Sequence, residues 1–260
     1  MAQILIDSEG GIATVWLNRP ERHNAFDDVL IRELTAALDD LSRDTGVRVV
    51  LLAGKGKSFS AGADLAWMSR MAGYSAAENE ADAMALATLL HRLDSLPKPT
   101  IALVQGAAMG GGVGLVAASD MAIAAPDAVF ALSEVKLGLI PAVISPYVIA
   151  AIGRRAARRY FLTAERFNAP RAEALGLIDA VVPAERLLAE GTALAQLLLQ
   201  NAPQAMAEAK DLVAAVAGQP IDEDLRAETA RRIARRRATA EGREGVAAFL
   251  EKRKPGWQNR

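Results

Sequence analysis

Short apolar runs and longer amphipathic stretches alternate along the chain as far as residue 182. Residues 4–6 and 12–17 are strand-like and flank two consecutive glycines, a combination that favours a β-hairpin. The uninterrupted apolar run 47–53 is typical of a strand buried on both faces. Further strands are predicted at residues 100–105, 121–124 and 129–132. This alternation of strands with helices favours an α/β fold whose core sheet is mainly parallel.

Helical periodicity is clearest after Asp27, a residue that can cap a helix, where leucines recur at positions 30, 34, 38 and 41. A second long helix is predicted at residues 76–93. From Ala184 onward the pattern is helical throughout, with helices predicted at residues 187–199, 204–216, 222–238 and 243–252. We therefore divide the chain into a core of residues 1–195 and a helical segment of residues 196–260. Such a segment packs either on a neighbouring subunit or over its own core.

Four glycines lie within the five positions that follow Met109, after the predicted strand at 100–105 and at the start of a helical pattern. Glycine has no Cβ, so the backbone there can approach a ligand closely. At a helix N-terminus the first N–H groups lack partners and lie at the positive end of the helix dipole. The cluster therefore predicts a site for an anion, or for negative charge that develops on a reacting oxygen.

Familiar glycine motifs do not account for this cluster. The spacing of Gly110 and Gly112 does not fit the dinucleotide-binding fingerprint, and neither a GxxxxGK[ST] phosphate loop nor a serine-hydrolase GxSxG elbow occurs. An oxyanion site also needs a group that moves a proton, and Glu134 follows a short predicted strand within an apolar stretch. Such surroundings favour a raised carboxyl pKa, suited to proton transfer near neutral pH. An exposed glutamate paired with Lys136 is the structural alternative.

Composition limits the partners and the chemistry. Lys and Arg total 30 against 31 Asp and Glu, so no general attraction to nucleic acid or to an anionic membrane is expected. The chain has no cysteine and two histidines, which argues against thiol catalysis and metal sites. We expect a soluble, cytoplasmic protein, because we find neither a leader nor an apolar stretch that could span a bilayer. The arginine-rich run from Arg231 to Arg237 is interpreted as a solvated or salt-bridged helix face rather than an RNA-binding surface.

Several spaced motifs occur in one order along nearly the whole chain. They are Leu17-Asn18-Arg19-Pro20, Asn24-Ala25-Phe26, and the segments at residues 59–65, 98–112, 130–141 and 162–165. Together these motifs resemble the crotonase (enoyl-CoA hydratase/isomerase) superfamily. Details at residues 64–68, 112–115 and 132–147 are most similar to bacterial methylglutaconyl-CoA and isohexenylglutaconyl-CoA hydratases.

The resemblance implies a right-handed spiral of repeated ββα turns and a helical C-terminal segment that builds homotrimers, or hexamers from paired trimers. It implies an acyl-CoA thioester as substrate, with no metal or redox cofactor. The N–H groups of Ala63 and Gly111 would hold the thioester oxygen, and Glu134 would be the acid or base. The further residues implied at the substrate are Arg22, Ala25, Ala61, Asp64, Leu65, Gly110, Gly114, Pro141, Phe249 and Lys252. The last two would close over CoA, in their own subunit or from an adjacent one.

The chain departs from the two-glutamate hydratases of this superfamily at Gly114, where those enzymes carry a second carboxylate. A lone glutamate at the position of Glu134 is also what Δ3-Δ2 enoyl-CoA isomerases use. We rank hydration first, because the segment around Gly114 is similar to that of the glutaconyl-type hydratases. Isomerisation is the alternative, and an RNA-binding or scaffold role is a third hypothesis. The second carboxylate of a glutaconyl substrate would need a partner, for which Arg70, Lys136 and Tyr147 are candidates.

Overall fold

The computed structural model describes residues 2–258 of the chain. Its strands are β1 (Ile4–Glu9), β2 (Ile12–Leu17), β3 (Val49–Gly54), β4 (Thr100–Val104), β5 (Ala107–Met109), β6 (Met121–Ala124), β7 (Val129–Ala131), β8 (Phe167–Asn168) and β9 (Ala180–Val181). Its α-helices are α1 (Asp28–Arg43), α2 (Leu65–Met71), α3 (Ala76–Asp94), α4 (Gly111–Ala118), α5 (Ser145–Thr163), α6 (Ala169–Leu175), α7 (Leu187–Leu199), α8 (Pro203–Val216), α9 (Glu223–Ala238) and α10 (Ala240–Leu250). Single 3₁₀ turns occur at Pro20–Arg22, Glu134–Leu137, Ala184–Arg186 and Gly256–Gln258.

The larger sheet has the strand order β1-β2-β3-β4-β6-β9 and is parallel except for the β1–β2 hairpin. Strand β3 is buried on both faces, as the run at 47–53 predicts. Val50 and Leu52 belong to the main core with leucines of α1 and α3, while Val49 and Leu51 pack with α7 on the opposite face. The prediction of a mainly parallel α/β core is confirmed.

A smaller sheet has the order β5-β7-β8, and the chain enters it repeatedly from the larger one. Strand β4 leads to β5 and then α4, and β6 leads to β7 and then α5. The turn that begins with β3 follows the same path, because Ser60 pairs with Ala108 of β5 through an isolated parallel bridge. This repeated strand–strand–helix path is the spiral of ββα turns that the resemblance implies, and the fold prediction is confirmed.

Capping side chains fix the helix ends. The Asp27 carboxylate accepts the N–H of Leu30 at 2.8 Å, so α1 begins where the sequence predicts. The helix predicted at 243–252 begins earlier, at Ala240, because the Thr239 hydroxyl caps it by accepting the N–H of Gly242 at 3.0 Å. It ends at Leu250, and Lys252 lies beyond it in the left-handed region with φ 53°.

The predicted boundary between residues 195 and 196 falls inside α7. This helix packs Leu187, Ala195 and Leu199 against β3 and β4, so its whole length belongs to the core. The segment of separate helices starts at Pro203, the first residue of α8. No helix within residues 2–258 is long and apolar enough to cross a membrane.

The arginine-rich run lies on α9 and is largely ion-paired within the chain. Arg232 contacts Asp211 of α8 at 2.5 Å and Glu228 at 2.9 Å. Arg231 also contacts Glu228 at 3.0 Å, and Arg236 contacts Glu208 at 3.1 Å. The salt-bridged interpretation is therefore confirmed for these three arginines.

Candidate active site

The backbone around Ala63 is fixed by pairing with the segment that precedes α1. Phe26 donates its N–H to the carbonyl of Gly62 at 2.7 Å and accepts the N–H of Asp64 at 2.8 Å. In a parallel bridge of this kind the central residue, here Ala63, directs its own N–H and C=O away from the partner. The Ala63 amide therefore points away from Phe26, to the other side of the loop.

Helix α4 supplies the second amide. Its first intrahelical hydrogen bond runs from Gly114 N–H to the Gly110 carbonyl at 3.1 Å, so Gly111 belongs to the turn whose N–H groups have no helical partner. Gly110 has φ 50° and ψ −113°, a conformation that favours glycine. An added Cβ at Gly112 would lie 2.8 Å from the Ser60 carbonyl oxygen. Because Gly110 and Gly112 have no side chains, the N-terminus of α4 can pack against the loop that carries Ala63.

Glu134 begins the 3₁₀ turn that follows β7, and its carboxylate lies beside the glycine cluster. An added Cβ at Gly110 would lie 3.0 Å from Glu134 Oε1. Glu134 Oε2 is buried without a hydrogen-bond partner among residues 2–258, while Lys136 is exposed. Burial raises the pKa of Glu134, only partly offset by a hydrogen bond from its own backbone. This carboxyl group is therefore suited to accept and return a proton near neutral pH.

Arg19 ties together the two helix starts that flank the loop. Its guanidinium contacts Asp27, the N-cap of α1, at 3.0 Å and Asp64, the N-cap of α2, at 3.2 Å. It also donates to the carbonyl of Ala25 at 2.7 Å. Burial acts to raise the pKa of Asp64, but N–H donors from α2 and the charge of Arg19 hold that pKa below its usual value. Arg19 is thus a positioning residue for the loop that presents Ala63.

The two amides and Glu134 meet in one cavity of about 470 Å³. Seven of the predicted site residues line it: Ala61, Ala63, Leu65, Gly110, Gly111, Glu134 and Pro141. Its remaining wall is largely apolar and includes Trp67, Met68, Met71, Leu86, Val143 and Ile144. The structure therefore brings the proposed oxyanion donors and the proton carrier to one apolar pocket.

The other predicted site residues do not line this cavity. Ala25 and Asp64 are buried in the Arg19 contacts, and Arg22 lies exposed next to them. Gly114 is covered by Ile144, which lies between it and the cavity. Phe249 and Lys252 are exposed at the end of the helical segment. Their predicted contact with CoA stays a prediction.

Sequence reasoning did not identify Asp82, which lines the same cavity from α3. It accepts a hydrogen bond from the Trp67 indole at 3.2 Å. Burial raises the pKa of Asp82, and the nearby charge of Asp28 adds to the effect. No signal in the sequence marks this residue, because the first half of α3 is rich in alanine and glutamate and lacks a clear apolar stripe.

None of the three candidates for pairing a second substrate carboxylate lines the cavity. Arg70 contacts Asp28 at 2.5 Å instead, and Lys136 is exposed. Tyr147 lies near Asp94, and burial raises the pKa of its phenol. Among the described residues the cavity wall holds two ionisable side chains, Glu134 and Asp82, and no Lys, Arg or His.

A larger cleft of about 820 Å³ lies between the end of α1, α7 and Trp257. It contains neither the glycine cluster nor Glu134. The Lys98 ammonium at its edge donates to the carbonyls of Leu41 and Asp44. No group of three or more potential metal ligands occurs within residues 2–258. The glycine cluster and Glu134 therefore belong to the smaller cavity, which we take as the candidate active site.

Ala63, Gly111 and the Glu134 carboxylate line one cavity, and backbone amides beside a carboxyl group are what an enzyme uses to stabilise an oxyanion while it moves a proton. The model of the enoyl-CoA hydratase/isomerase family matches residues 7–260. The chain belongs to this family.

Solved structures and curated relatives agree with the match. The fold superposes on an enoyl-CoA hydratase from Shewanella pealeana with a TM-score of 0.96 at 49% identity, covering 98% of this chain and 96% of that one. Pseudomonas aeruginosa AtuE gives a TM-score of 0.93 at 37% identity, covering 98% and 99%. A Thermus thermophilus protein named provisionally as an enoyl-CoA hydratase is 40% identical over 247 residues, covering 95% of this chain and 97% of the relative.

We predict that Gly112→Ala lowers kcat/KM on a 2-enoyl-CoA by about 100-fold while the protein still folds. The added Cβ would meet the Ser60 carbonyl oxygen at 2.8 Å, and Ser60 is held by the N–H···O bond to Ala107 at 2.9 Å. The loop must then move and displace the Ala63 amide. Gly73→Ala is the matched control, because its nearest neighbour is 3.6 Å away. Equal kinetics for the two variants would contradict this account of the cluster.

We also predict that Glu134→Gln is more stable than the wild type at about pH 8 and no more stable below the ordinary carboxyl pKa of 4.5. The raised pKa of Glu134 means that the folded state favours the neutral form. Its contribution to stability is intact at low pH and is lost as the pH rises through the folded pKa. Urea unfolding at both pH values measures this difference.

Glu165→Gln is the control with opposite sign. Hydrogen bonds and charge from Arg159 lower the pKa of Glu165, so removing its charge gives no gain in stability at pH 8. If Glu134→Gln were also no more stable than the wild type at pH 8, the Glu134 carboxylate would not be desolvated in the folded protein.

Proposed function

We propose that the protein adds water reversibly to a 2-enoyl-CoA, with a branched glutaconyl-type acyl group such as 3-methylglutaconyl-CoA as substrate. One observation carries the reaction type: the Glu134 carboxylate, whose Oε2 has no hydrogen-bond partner among residues 2–258, lines an apolar cavity together with Ala63 and Gly111. The glutaconyl-type acyl group is supported by the resemblance of residues 64–68, 112–115 and 132–147 to hydratases of that kind.

In this mechanism the two amides donate hydrogen bonds to the thioester oxygen. Ionised Glu134 takes a proton from water as the hydroxyl bonds to Cβ, and the electron pair of the double bond moves to the thioester oxygen to form an enolate. The protonated Glu134 then delivers its proton to Cα, and the thioester carbonyl is restored. Each step is a proton transfer or an addition, so we propose that no metal or redox cofactor takes part.

The same residues would also move a double bond without water. An isomerase needs one carboxylate to carry a proton between two carbons, and Gly114 leaves the chain with one glutamate at this position. We keep this Δ3-Δ2 isomerisation as the second candidate. An RNA-binding or scaffold role loses its support, because three arginines of the basic run are paired with acidic residues of the chain.

We propose a homotrimer, with paired trimers as the alternative, in the cytoplasm. Support comes from the large apolar side chains that the three C-terminal helices expose. Val213 of α8 is 66% exposed, and Phe249 and Leu250 of α10 are 82% and 72% exposed. In such an assembly Phe249 and Lys252 would be placed to close over the CoA of a neighbouring subunit.

We expect product formed in ¹⁸O-labelled water to carry one heavy oxygen when the substrate is 3-methylglutaconyl-CoA or crotonyl-CoA. Glu134→Gln should reduce this rate by about 1000-fold, because proton transfer is lost, while CoA product still binds. Mass spectrometry and calorimetry measure the two quantities. If the enzyme labels neither 2-enoyl substrate but shifts the double bond of a 3-enoyl-CoA without oxygen uptake, the reaction is isomerisation and not hydration.

We predict that Asp82→Asn lowers the KM for 3-methylglutaconyl-CoA by about tenfold and leaves the KM for 3-methylcrotonyl-CoA unchanged. The two substrates share the branch and differ in the terminal carboxylate, which the Asp82 side chain would repel at close range in its charged form. Asparagine keeps an oxygen for the Trp67 indole, so the wall retains its shape. If both KM values change equally, the terminal carboxylate does not reach Asp82.

A further inference from the structure

Gly114 and Ile144 are packed against each other so closely that any side chain at position 114 would displace Ile144. An added Cβ would overlap with Ile144 Cγ2 and lie 3.1 Å from Ile144 Cβ. Rotation of the Ile144 side chain would move Cγ2 away, but the 3.1 Å contact with Cβ would remain tight, so Ile144 would also have to shift by a few tenths of an ångström. Leu90 of α3, which is fully buried, lies 3.5 Å from the same point. To make room for a side chain at position 114, Ile144 would have to move away from α4.

That direction leads into the active-site cavity. Ile144 lines the cavity and is 3% exposed, while Gly114 behind it does not line it. The backbone of Ile144 is anchored as the residue before α5, with its carbonyl accepting the N–H of Val148 at 3.1 Å. A larger residue at position 114 would push the Ile144 side chain, or the whole start of α5, towards the bound acyl group.

The position along α4 identifies which part of the acyl group is affected. Gly114 lies three residues beyond Gly111, a rise of about 4.5 Å along the helix. A thioester oxygen bound by the Gly111 amide places the next acyl carbons alongside this turn. With the thioester oxygen so placed, Cα and Cβ would lie beside Ile144, which lines the cavity, and a substituent on Cβ would need room there.

We propose that Gly114 and Ile144 together determine the preference for acyl-CoA substrates with a branch on Cβ. The missing side chain at 114 lets Ile144 lie back against α4, which widens the cavity beside Cβ. The orientation of the acyl chain rests on the proposed function, since it places the thioester oxygen at Gly111. The ligand class is a CoA thioester whose acyl chain carries a 3-methyl group.

Binding of saturated, unreactive thioesters tests this pair without relying on turnover. Isovaleryl-CoA carries the 3-methyl branch and butyryl-CoA lacks it. Calorimetry should show that Gly114→Ala weakens isovaleryl-CoA binding tenfold or more, the effect of about one methyl group in a tight pocket, and butyryl-CoA binding less than about twofold. The double variant Gly114→Ala/Ile144→Ala should restore the wild-type ratio of the two affinities.

If Gly114→Ala does not fold, the single variant Ile144→Ala tests the proposal instead. It should shift binding towards a bulkier branch, so that 3,3-dimethylbutanoyl-CoA gains at least about fivefold relative to isovaleryl-CoA. Ile140→Ala is the matched control, because Ile140 lines the same cavity but is 73% exposed. Equal losses for branched and unbranched ligands in Gly114→Ala, or an unchanged ratio in Ile144→Ala, would overturn the proposal. If the oxygen-labelling test fails, the proposal of hydration is overturned, but the binding ratios still test the roles of Gly114 and Ile144 because they do not depend on turnover.

Discussion

The site depends on the close approach of the α4 N-terminus to the loop that carries Ala63. Two amides from different segments can share one ligand oxygen only where backbones meet without side chains between them. Three consecutive glycines provide this. An added Cβ would meet Glu134 at Gly110, Phe26 at Gly111 and Ser60 at Gly112. A side chain at each of these glycines would thus contact a different residue, and all three of these residues belong to or support the site.

Electrostatic contacts keep the loop on its side of this approach. Arg19 contacts the capping aspartates of both α1 and α2, and the three side chains are at most 13% exposed. Removing one partner from such a group leaves an uncompensated charge, which costs about 3 kcal/mol or more. The buried Asn24 adds to the tether by accepting the Arg19 N–H at 2.8 Å. The Asn18-Arg19-Pro20 and Asn24-Ala25-Phe26 motifs therefore have a structural meaning, which is to hold the Ala63 amide in place.

Local patterns predicted much of the fold and part of the site. Hydrophobic periodicity located the hairpin, β3 and most helices, because each depends on residues near in sequence. The glycine cluster and Glu134 were identifiable from residue chemistry, although the roles of Ala63 and Gly111 came from family resemblance. The sequence could not predict that Ile144 covers Gly114, or that Asp82 reaches the cavity beside Trp67. Those contacts join residues on different elements, and neither residue type nor spacing specifies which elements meet.

The glycine at position 114, where two-glutamate hydratases carry a carboxylate, changes what Glu134 must do in the proposed hydration. Ile144 fills the space beside Gly114, and Glu134 lines the same cavity. In the proposed hydration, Glu134 has to take a proton from water and hold it long enough to deliver it to Cα. An ordinary glutamate is a weak proton carrier near pH 7, whereas burial raises the pKa of Glu134 towards the working pH. In the proposed hydration, the water that Glu134 deprotonates and the proton that Glu134 returns would both reach the double bond from the side of this one carboxylate, which would favour addition to a single face.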